Sequence, residues 1–331
     1  MLSKKSKRIL LGMAAAASAV VLAACAGPAS SSSGGSAPAN GSTTSGGPMN
    51  VAVVTHGSAG DSFWNVVKNG AEDAGKQLGV NVTYNSDGDP GAQSKLIDNA
   101  VAQHVDGLVV SMANPDALKT SVTAAVKAGI PVITINSGQS QSAAFGAIAH
   151  VGQDEGIAGQ QAGAKLKASG KTNLLCVIHE AGNVGLAQRC DGAKQGFGKT
   201  TNLQVDINNP TDVEAKIKGA LQTDSSIDAV LTLNPQIALS AVNAAKETSS
   251  KATIATFDLN SDVVSAIKAG QISFAVDQQQ YEQGYLPIVM LKLYHDNANT
   301  VGGGQPVLTG PGFVDKSNVD KVAQYAARGT R

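Results

Sequence analysis

From Val51 onward, short apolar runs alternate with amphipathic stretches. Val51-Ala52-Val53-Val54 is short and rich in β-branched residues, the pattern of a buried strand. A Gly-rich turn follows, after which Phe63, Val66, Val67, Ala71 and Ala74 recur at helical spacing. The alternation continues with a strand over 80–84, a helix near 92–103, a strand over 107–110, a helix over 116–127 and a strand over 131–135. Strand and helix in turn predict an α/β fold, with parallel sheets covered by helices on both faces.

The second part of the chain echoes the first at a spacing near 122 residues. Asn69-Gly70-Ala71 matches Asp191-Gly192-Ala193, each inside the helix after an opening strand. Asp106 before Leu108-Val109-Val110 matches Asp228 before Val230-Leu231, and Asn114-Pro115 matches Asn234-Pro235 with a two-residue deletion. Ile133-Thr134-Ile135-Asn136 matches Ile254-Ala255-Thr256-Phe257-Asp258, with the closing polar residues in register. Two similar Rossmann-like lobes are therefore expected. Ligands of open α/β sheets bind beyond the carboxyl ends of the strands, so Asn136 and Asp258 are candidates for one site in the cleft between lobes.

The N-terminal segment has a different composition. Lys4, Lys5, Lys7 and Arg8 precede an apolar run over 9–22 and then Leu22-Ala23-Ala24-Cys25. That layout reads as a signal peptide over 1–24, too short and alanine-rich for a permanent membrane span. Its end resembles the lipobox of bacterial lipoproteins, which implies a lipid on Cys25; a plain signal peptide with an incidental cysteine is the alternative. Residues 26–48 are Ser, Gly, Ala, Pro, Thr and one Asn, without charge or aromatic ring. Together with Cys25 they form the expected tether over 25–48, a flexible linker with a reach of roughly 25–30 Å. The protein is expected outside the cytoplasm, anchored to the cell membrane, at the cell surface or in a periplasm.

Charge narrows the partners. Lys and Arg number 25 and Asp and Glu 25; without the four cations of the signal segment the remainder carries a net charge near −4. No basic patch points to nucleic acid or to anionic lipid as the main partner. Cys176 and Cys190 form either a disulfide, as an exported protein allows, or two buried thiols.

Enzymatic patterns fail on spacing. Gly198-Lys199-Thr200 imitates the end of a phosphate-binding loop, but Ala193 stands where the first glycine is required. His179-Glu180 lacks the second histidine of a zinc-protease helix, and the five histidines have no ligand spacing. His56 occupies the position where a nucleophile elbow around Ser58 needs glycine. No dinucleotide fingerprint follows the first strand, so no catalytic residue, metal or cofactor is expected.

Over residues 49–320 the chain resembles the type I periplasmic solute-binding proteins of ABC importers, in the ribose and sugar-binding branch. The carriers are the strand 51–55 with Ser62-Phe63-Trp64, Ile130-Pro131-Val132-Ile133-Thr134, Arg189 three residues before Gly192, Asn234 after a strand, and Phe257-Asp258. The resemblance implies a three-strand hinge, an N-terminal lobe of 49–152 plus 279–308, and a C-terminal lobe of 153–278 plus 309–331. It implies that Phe63 and Trp64 sandwich a sugar ring and that Asp61 binds a hydroxyl. Arg189 and Asp258 would be its charged pair, and Asn234 and Gln278 would fork hydrogen bonds to adjacent hydroxyls. Asn136-Ser137 departs from the Asp-Arg of the ribose binders, which argues against D-ribose itself. His56 stands where a small polar residue is common and either bonds a ligand oxygen or plugs the loop. The expected role is that of an ABC importer's receptor, monomeric, which takes a small neutral sugar or polyol and hands it to a membrane permease. A sensory ligand module, or a binder of nucleosides or furanosyl signals, is the alternative reading.

Overall fold

The computed structural model describes residues 47–331 apart from Ala59. The signal peptide, Cys25 and nearly all of the tether lie outside the described residues. Among the described residues twelve strands form two six-stranded sheets. The first contains β1 (Asn50–Thr55), β2 (Asn81–Ser86), β3 (Gly107–Ser111), β4 (Val132–Ile135), β5 (Ala149–Gly152) and β11 (Val307–Leu308), in the order β11-β5-β4-β3-β1-β2. The second contains β6 (Leu174–Ile178), β7 (Thr200–Gln204), β8 (Ala229–Thr232), β9 (Thr253–Phe257), β10 (Phe274–Asp277) and β12 (Gly312–Asp315), in the order β12-β10-β9-β8-β6-β7. Every pairing is parallel except β10 with β12. Apart from the edge strands β11 and β12, the two orders are the same list displaced by five strands along the chain, which is the internal repeat expressed as topology.

The first sheet carries α1 (Ser62–Leu78), α2 (Pro90–Ala102), α3 (Pro115–Lys127) and the short α4 (Gln139–Ser142). Between the sheets in sequence comes α5 (Glu155–Ala168), followed by α6 (Val184–Phe197), α7 (Pro210–Thr223), α8 (Pro235–Glu247) and α9 (Ser261–Lys268). Then α10 (Gln280–Asn297) packs on α1, and α11 (Val319–Arg328) packs on α9. The chain thus passes between the two α/β modules three times, at 153–154, 278–279 and 309–311. Central strands β3, β4 and β8 are buried at every position, as parallel strands covered on both faces must be. Edge strand β2 is mostly exposed, with no buried position. Each module therefore has apolar clusters on both faces of its sheet.

Two helix pairs are set unusually close, and glycine is the reason. A Cβ on Gly70 of α1 would collide with the Tyr281 carbonyl of α10, and one on Gly284 with the Val67 carbonyl. In the second module Gly159 and Gly163 of α5 and Gly192 and Gly196 of α6 make the same approach, backbone to backbone. Gly70 and Gly192 are the matched glycines of the repeat. The disulfide between Cys176 and Cys190, with Cα atoms 5.9 Å apart, ties α6 to β6 beneath it. Closing that loop of about 15 residues contributes roughly 3 kcal/mol in the chain-entropy account.

The contact geometry separates two glycine substitutions. Gly159→Ala places a methyl against the Arg189 carbonyl and should cost about 1–3 kcal/mol. Gly219→Ala, in α7 with nothing within 4 Å, should stabilise by about 0.5–1 kcal/mol. Denaturant unfolding of the two variants checks this, and equal effects would refute the close-packing account.

Candidate binding site

The carboxyl ends of both sheets and the N-termini of three helices converge on one cleft. Asp61 caps α1, its carboxylate accepting from Phe63 N at 2.9 Å. Asn183 caps α6 through Gly185 N and Leu186 N, and Asn234 caps α8 through Gln236 N. A capping side chain fixes its own helix entry, so these three polar groups are held rigidly at the mouth of their helices. The ends of β4 and β9 are held by a different device. Asn136 and Asp258 both adopt left-handed backbone, φ 60° and 70°, a region in which Asn and Asp are several-fold enriched. Each donates its backbone N–H to the neighbouring strand, Asn136 to Val151 O and Asp258 to Val276 O. The matched residues of the repeat thus share one backbone conformation, which turns each side chain off its strand end.

The resulting cavity has about 290 Å³ of non-atom space, counting space open to solvent. His56, Asp61, Phe63, Trp64 and Asn136 line it from the first module, and Arg189, Asn234 and Asp258 from the second. Gln278, at a crossing, closes the bottom: its amide donates to both Asp258 oxygens at 2.9 and 3.1 Å and its carbonyl accepts from Asn136 at 3.1 Å. The structure therefore brings together nine of the ten residues selected from the sequence. Ser137 is the tenth and does not line the cavity. Its hydroxyl bonds Asn136 Oδ1 at 3.0 Å and Asn183 Oδ1 at 3.2 Å, a link between the modules beside the backbone bond from Val184 N to Ala113 O. The cause is geometric: β4 ends at Ile135, and the left-handed backbone of Asn136 turns the chain so that Asn136 faces the cavity while Ser137 faces Asn183 of the other module.

The charged pair is also arranged differently from the expectation. Arg189 is bonded to Glu155 of α5, Nε to Oε2 at 2.6 Å and Nη2 to Oε1 at 2.8 Å, and its plane lies over Phe257 at 4.5 Å. Asp258 acts on Arg189 only through its field. Burial works against the Arg189 charge, but Glu155 more than offsets it and holds the guanidinium above its ordinary value. Glu155 has no counterpart in the strand-end pattern, and only the close contact of α5 with α6 delivers it.

Sequence reading missed His179, Glu180, Asn183, Leu186 and Leu233 among the lining residues. Asn183 was within reach, since the spacing of 122 residues carries Asp61 onto it. His179 and Glu180 follow β6 and have no such signal. His56 bonds Ser111 Oγ through both its backbone N–H and Nδ1, at 3.0 and 2.7 Å, and its ring meets Trp64 edge-on at 4.7 Å. Phe63 meets the indole edge-on at 4.9 Å, so the two rings touch each other and form one aromatic corner; the expected sandwich of a sugar ring between them is not what the structure shows. Among the described residues no group of three or more His, Cys, Asp or Glu is disposed to hold a metal, and no helix is long and apolar enough to cross a membrane.

Burial sets the charge states. It depresses His56 to about 3, with Arg189 adding repulsion, and His179 to about 4. It lifts Asp61 to about 6 and Asp258 to about 8. The cavity at neutral pH thus holds neutral imidazoles, a paired guanidinium and a carboxyl that keeps its proton.

The profile of the periplasmic binding protein domain matches residues 51–298. The chain belongs to the periplasmic binding protein family. A crystal structure of a carbohydrate transporter from Acidothermus cellulolyticus 11B in complex with myo-inositol superposes with a TM-score of 0.85 at 43% identity, covering 86% of this chain and 100% of that one. A ribose import binding protein from Haemophilus influenzae is 25% identical over 236 residues, 69% of this chain and 79% of its own. A xylose/arabinose-binding protein from Sulfolobus acidocaldarius is 27% identical over 252 residues, 67% of this chain and 60% of its own. Members of the family are substrate-binding proteins. The chain is accordingly a type I periplasmic substrate-binding protein, extracytoplasmic and not an enzyme, and the cavity lies where its two sheets meet.

The charge states predict a pH profile. His56, His150 and His179, depressed from 6.5 to about 3, 4 and 4, contribute stability that is present above 6.5 and lost as pH falls below it. Asp61 and Asp258 act oppositely: raised from 3.8 to about 6 and 8, they contribute stability present below 3.8 and lost as pH rises toward those values. Three histidines outweigh two carboxyls on the acid side, and Asp258 alone acts from 6.5 to 8. Stability should peak near pH 6.5, with slopes of at most about 1.4 kcal/mol per unit per group. Denaturant unfolding from pH 4.5 to 8.5 tests this; Asp258→Asn should flatten the alkaline limb, and a limb unchanged in that variant would overturn the assignment.

Proposed function

We propose that the chain is the lipid-anchored receptor of an ABC importer and that its cleft takes a small neutral ring polyol, a cyclitol or monosaccharide. The observation that carries this is the two-sided chemistry of the cavity wall. Trp64 and Phe63 offer aromatic surface to the apolar C–H face of such a ring. Asp61, Asn136, Arg189, Asn234, Asp258 and Gln278 surround that surface with donors and acceptors. A hydroxyl both donates and accepts, and so do a protonated Asp258 and the amides of Asn and Gln. Arg189 spends three of its five N–H groups on Glu155 and Leu233 O, which leaves donors for hydroxyls. Asn136-Ser137 keeps this wall free of a second charge pair. The 43% identical structure in complex with myo-inositol supports the cyclitol end of the class, and the relatives named for ribose and for xylose/arabinose support the sugar end.

In this reading the lobes are 49–152 plus 279–308 and 153–278 plus 309–331, and they close about the three crossings as a hinge. The ligand shifts open to closed only by its differential affinity for the two forms. Residues from both modules provide that difference: Asp61 meets Asn234 across the cleft at 3.3 Å and His56 meets Asn183 at 3.4 Å. The closed monomer is the form offered to the permease. Leu22-Ala23-Ala24-Cys25 supports the lipid anchor, and the tether over 25–48 supports a receptor held close to its membrane.

Trp64 is the only tryptophan in the chain and lies on the cavity wall, so intrinsic fluorescence reports occupancy. Titration with myo-inositol, D-glucose and D-ribose should give a saturable change with at least one of them, and silence from a full panel of sugars and cyclitols would refute the reading. Asp258→Ala should weaken that binding about 10–100-fold, the effect of hydrogen bonds left unmade at roughly 1–3 kcal/mol. For the anchor, Cys25→Ser should move the protein from the membrane fraction to the soluble extracytoplasmic fraction. Identical fractionation of parent and variant would exclude lipidation at Cys25.

A further inference from the structure

The cavity described above does not end at His56. A second cavity, of about 980 Å³ counting space open to solvent, lies against it, and His56, His179, Glu180 and Asn183 line both. The contacts that His56 makes across the modules at this partition are long, Nε2 lying 3.4 Å from Asn183 Nδ2 and 3.8 Å from Glu180 Oε2, whereas Ser137 Oγ to Asn183 Oδ1 at 3.2 Å and Val184 N to Ala113 O at 3.0 Å join the modules beside it. The short bond there, Asn183 Nδ2 to Glu180 Oε2 at 2.6 Å, lies wholly within the second module. His179 is 5% exposed, and its Nδ1 has no hydrogen-bond partner among the described residues. A buried polar nitrogen left unmade is costly, and this one belongs to a side chain that borders both cavities.

The outer walls come from both modules. Pro90 and Ala113 stand opposite Val205 and Ile207, small or aliphatic surfaces, while Asn208 and Lys216 stand among the polar groups. Lys216 is engaged by Asp212 at 2.8 Å, and Glu180 and Asp206 also line the space. The outer cavity is thus poor in free positive charge and does not suit a phosphate or carboxylate. Walls that mix aliphatic surface with many polar groups suit a neutral, hydroxyl-bearing ring.

Resting on the ring-polyol reading of the inner cavity, we propose that the two cavities are one two-chambered site. The inner chamber holds a ring polyol, and the outer chamber takes a second neutral ring joined through one of its hydroxyls. The ligand class thereby extends from free cyclitols and monosaccharides to their glycosides. The partition opens by separation of His56 from Asn183 and Glu180, and His179 Nδ1 meets the linking oxygen or a hydroxyl beside it.

Calorimetric titration of the purified protein with myo-inositol and with galactinol, a galactose joined to myo-inositol through one hydroxyl, tests this. Both should bind the parent. Ala181→Trp and Asn208→Trp fill the outer chamber from exposed positions that line it alone. Each should weaken galactinol at least tenfold and leave myo-inositol within about twofold. Binding of myo-inositol without galactinol would overturn the outer chamber and leave the proposed function standing. Equal effects of Ala181→Trp and Asn208→Trp on the two ligands would overturn the placement. Failure of the parent to bind either compound or any simple sugar would instead overturn the ring-polyol reading itself.

Discussion

A guanidinium cannot be taken out of water without a partner, and the second module is organised around that constraint. Arg189 is 3% exposed and Glu155 4%; separating either from the other would leave a buried charge, which is among the more destabilising events available to a fold. Glu155 reaches Arg189 because α5 and α6 touch along glycines, so that their backbones meet where side chains would ordinarily hold them apart. The Cys176–Cys190 disulfide anchors the helix one residue beyond Arg189, and Phe257 lies beneath its plane. The arginine therefore faces the cleft in one orientation, as a ligand site requires.

The rest of the site is made twice. Each module ends its fourth strand with a polar residue in left-handed backbone and opens the helix after its first strand with a capping Asp or Asn. The strand-end pair, Asn136 and Asp258, is linked through one side chain, Gln278 at a crossing. The capping pair, Asp61 and Asn183, bonds the opposite module instead, through Asn234 and His56. The pseudo-symmetry supplies opposed polar groups, and the aromatic corner of Phe63 and Trp64, which only the first module has, breaks it. A ring with two unlike faces is matched by such a broken symmetry better than by an intact one.

Desolvation then sets the cavity's chemistry. With His56 and His179 neutral and the Asp258 carboxyl protonated, most of the wall consists of groups that both donate and accept. Their preference is for hydroxyls over ions. Asp61, raised less than Asp258, remains the one carboxylate of the first module on that wall, and its charge is shared with Asn234 and the N-terminus of α1.

Much of this was legible in the residues alone. Apolar runs of strand length and helical spacing specify the elements locally, and the displaced repeat carried the two-module topology, because matched sequences meet the same packing problem twice. The strand ends Asn136 and Asp258 followed from the repeat with no knowledge of the fold's coordinates. Ser137, Glu155, His179 and Glu180 did not. Whether Ser137 faces ligand or the opposite module depends on the turn of one backbone angle after β4. Glu155 meets Arg189, 34 residues away, only because their two helices approach at glycine contacts, and His179 and Glu180 matter only because the end of β6 falls opposite His56. The sequence determined by itself which segments would be strands and helices and which residues could bind a hydroxyl, since those depend on local periodicity and side-chain chemistry. Only the tertiary structure decided which of them share a cavity and which charges survive burial there, because contact and desolvation belong to the packed molecule and not to any residue in it.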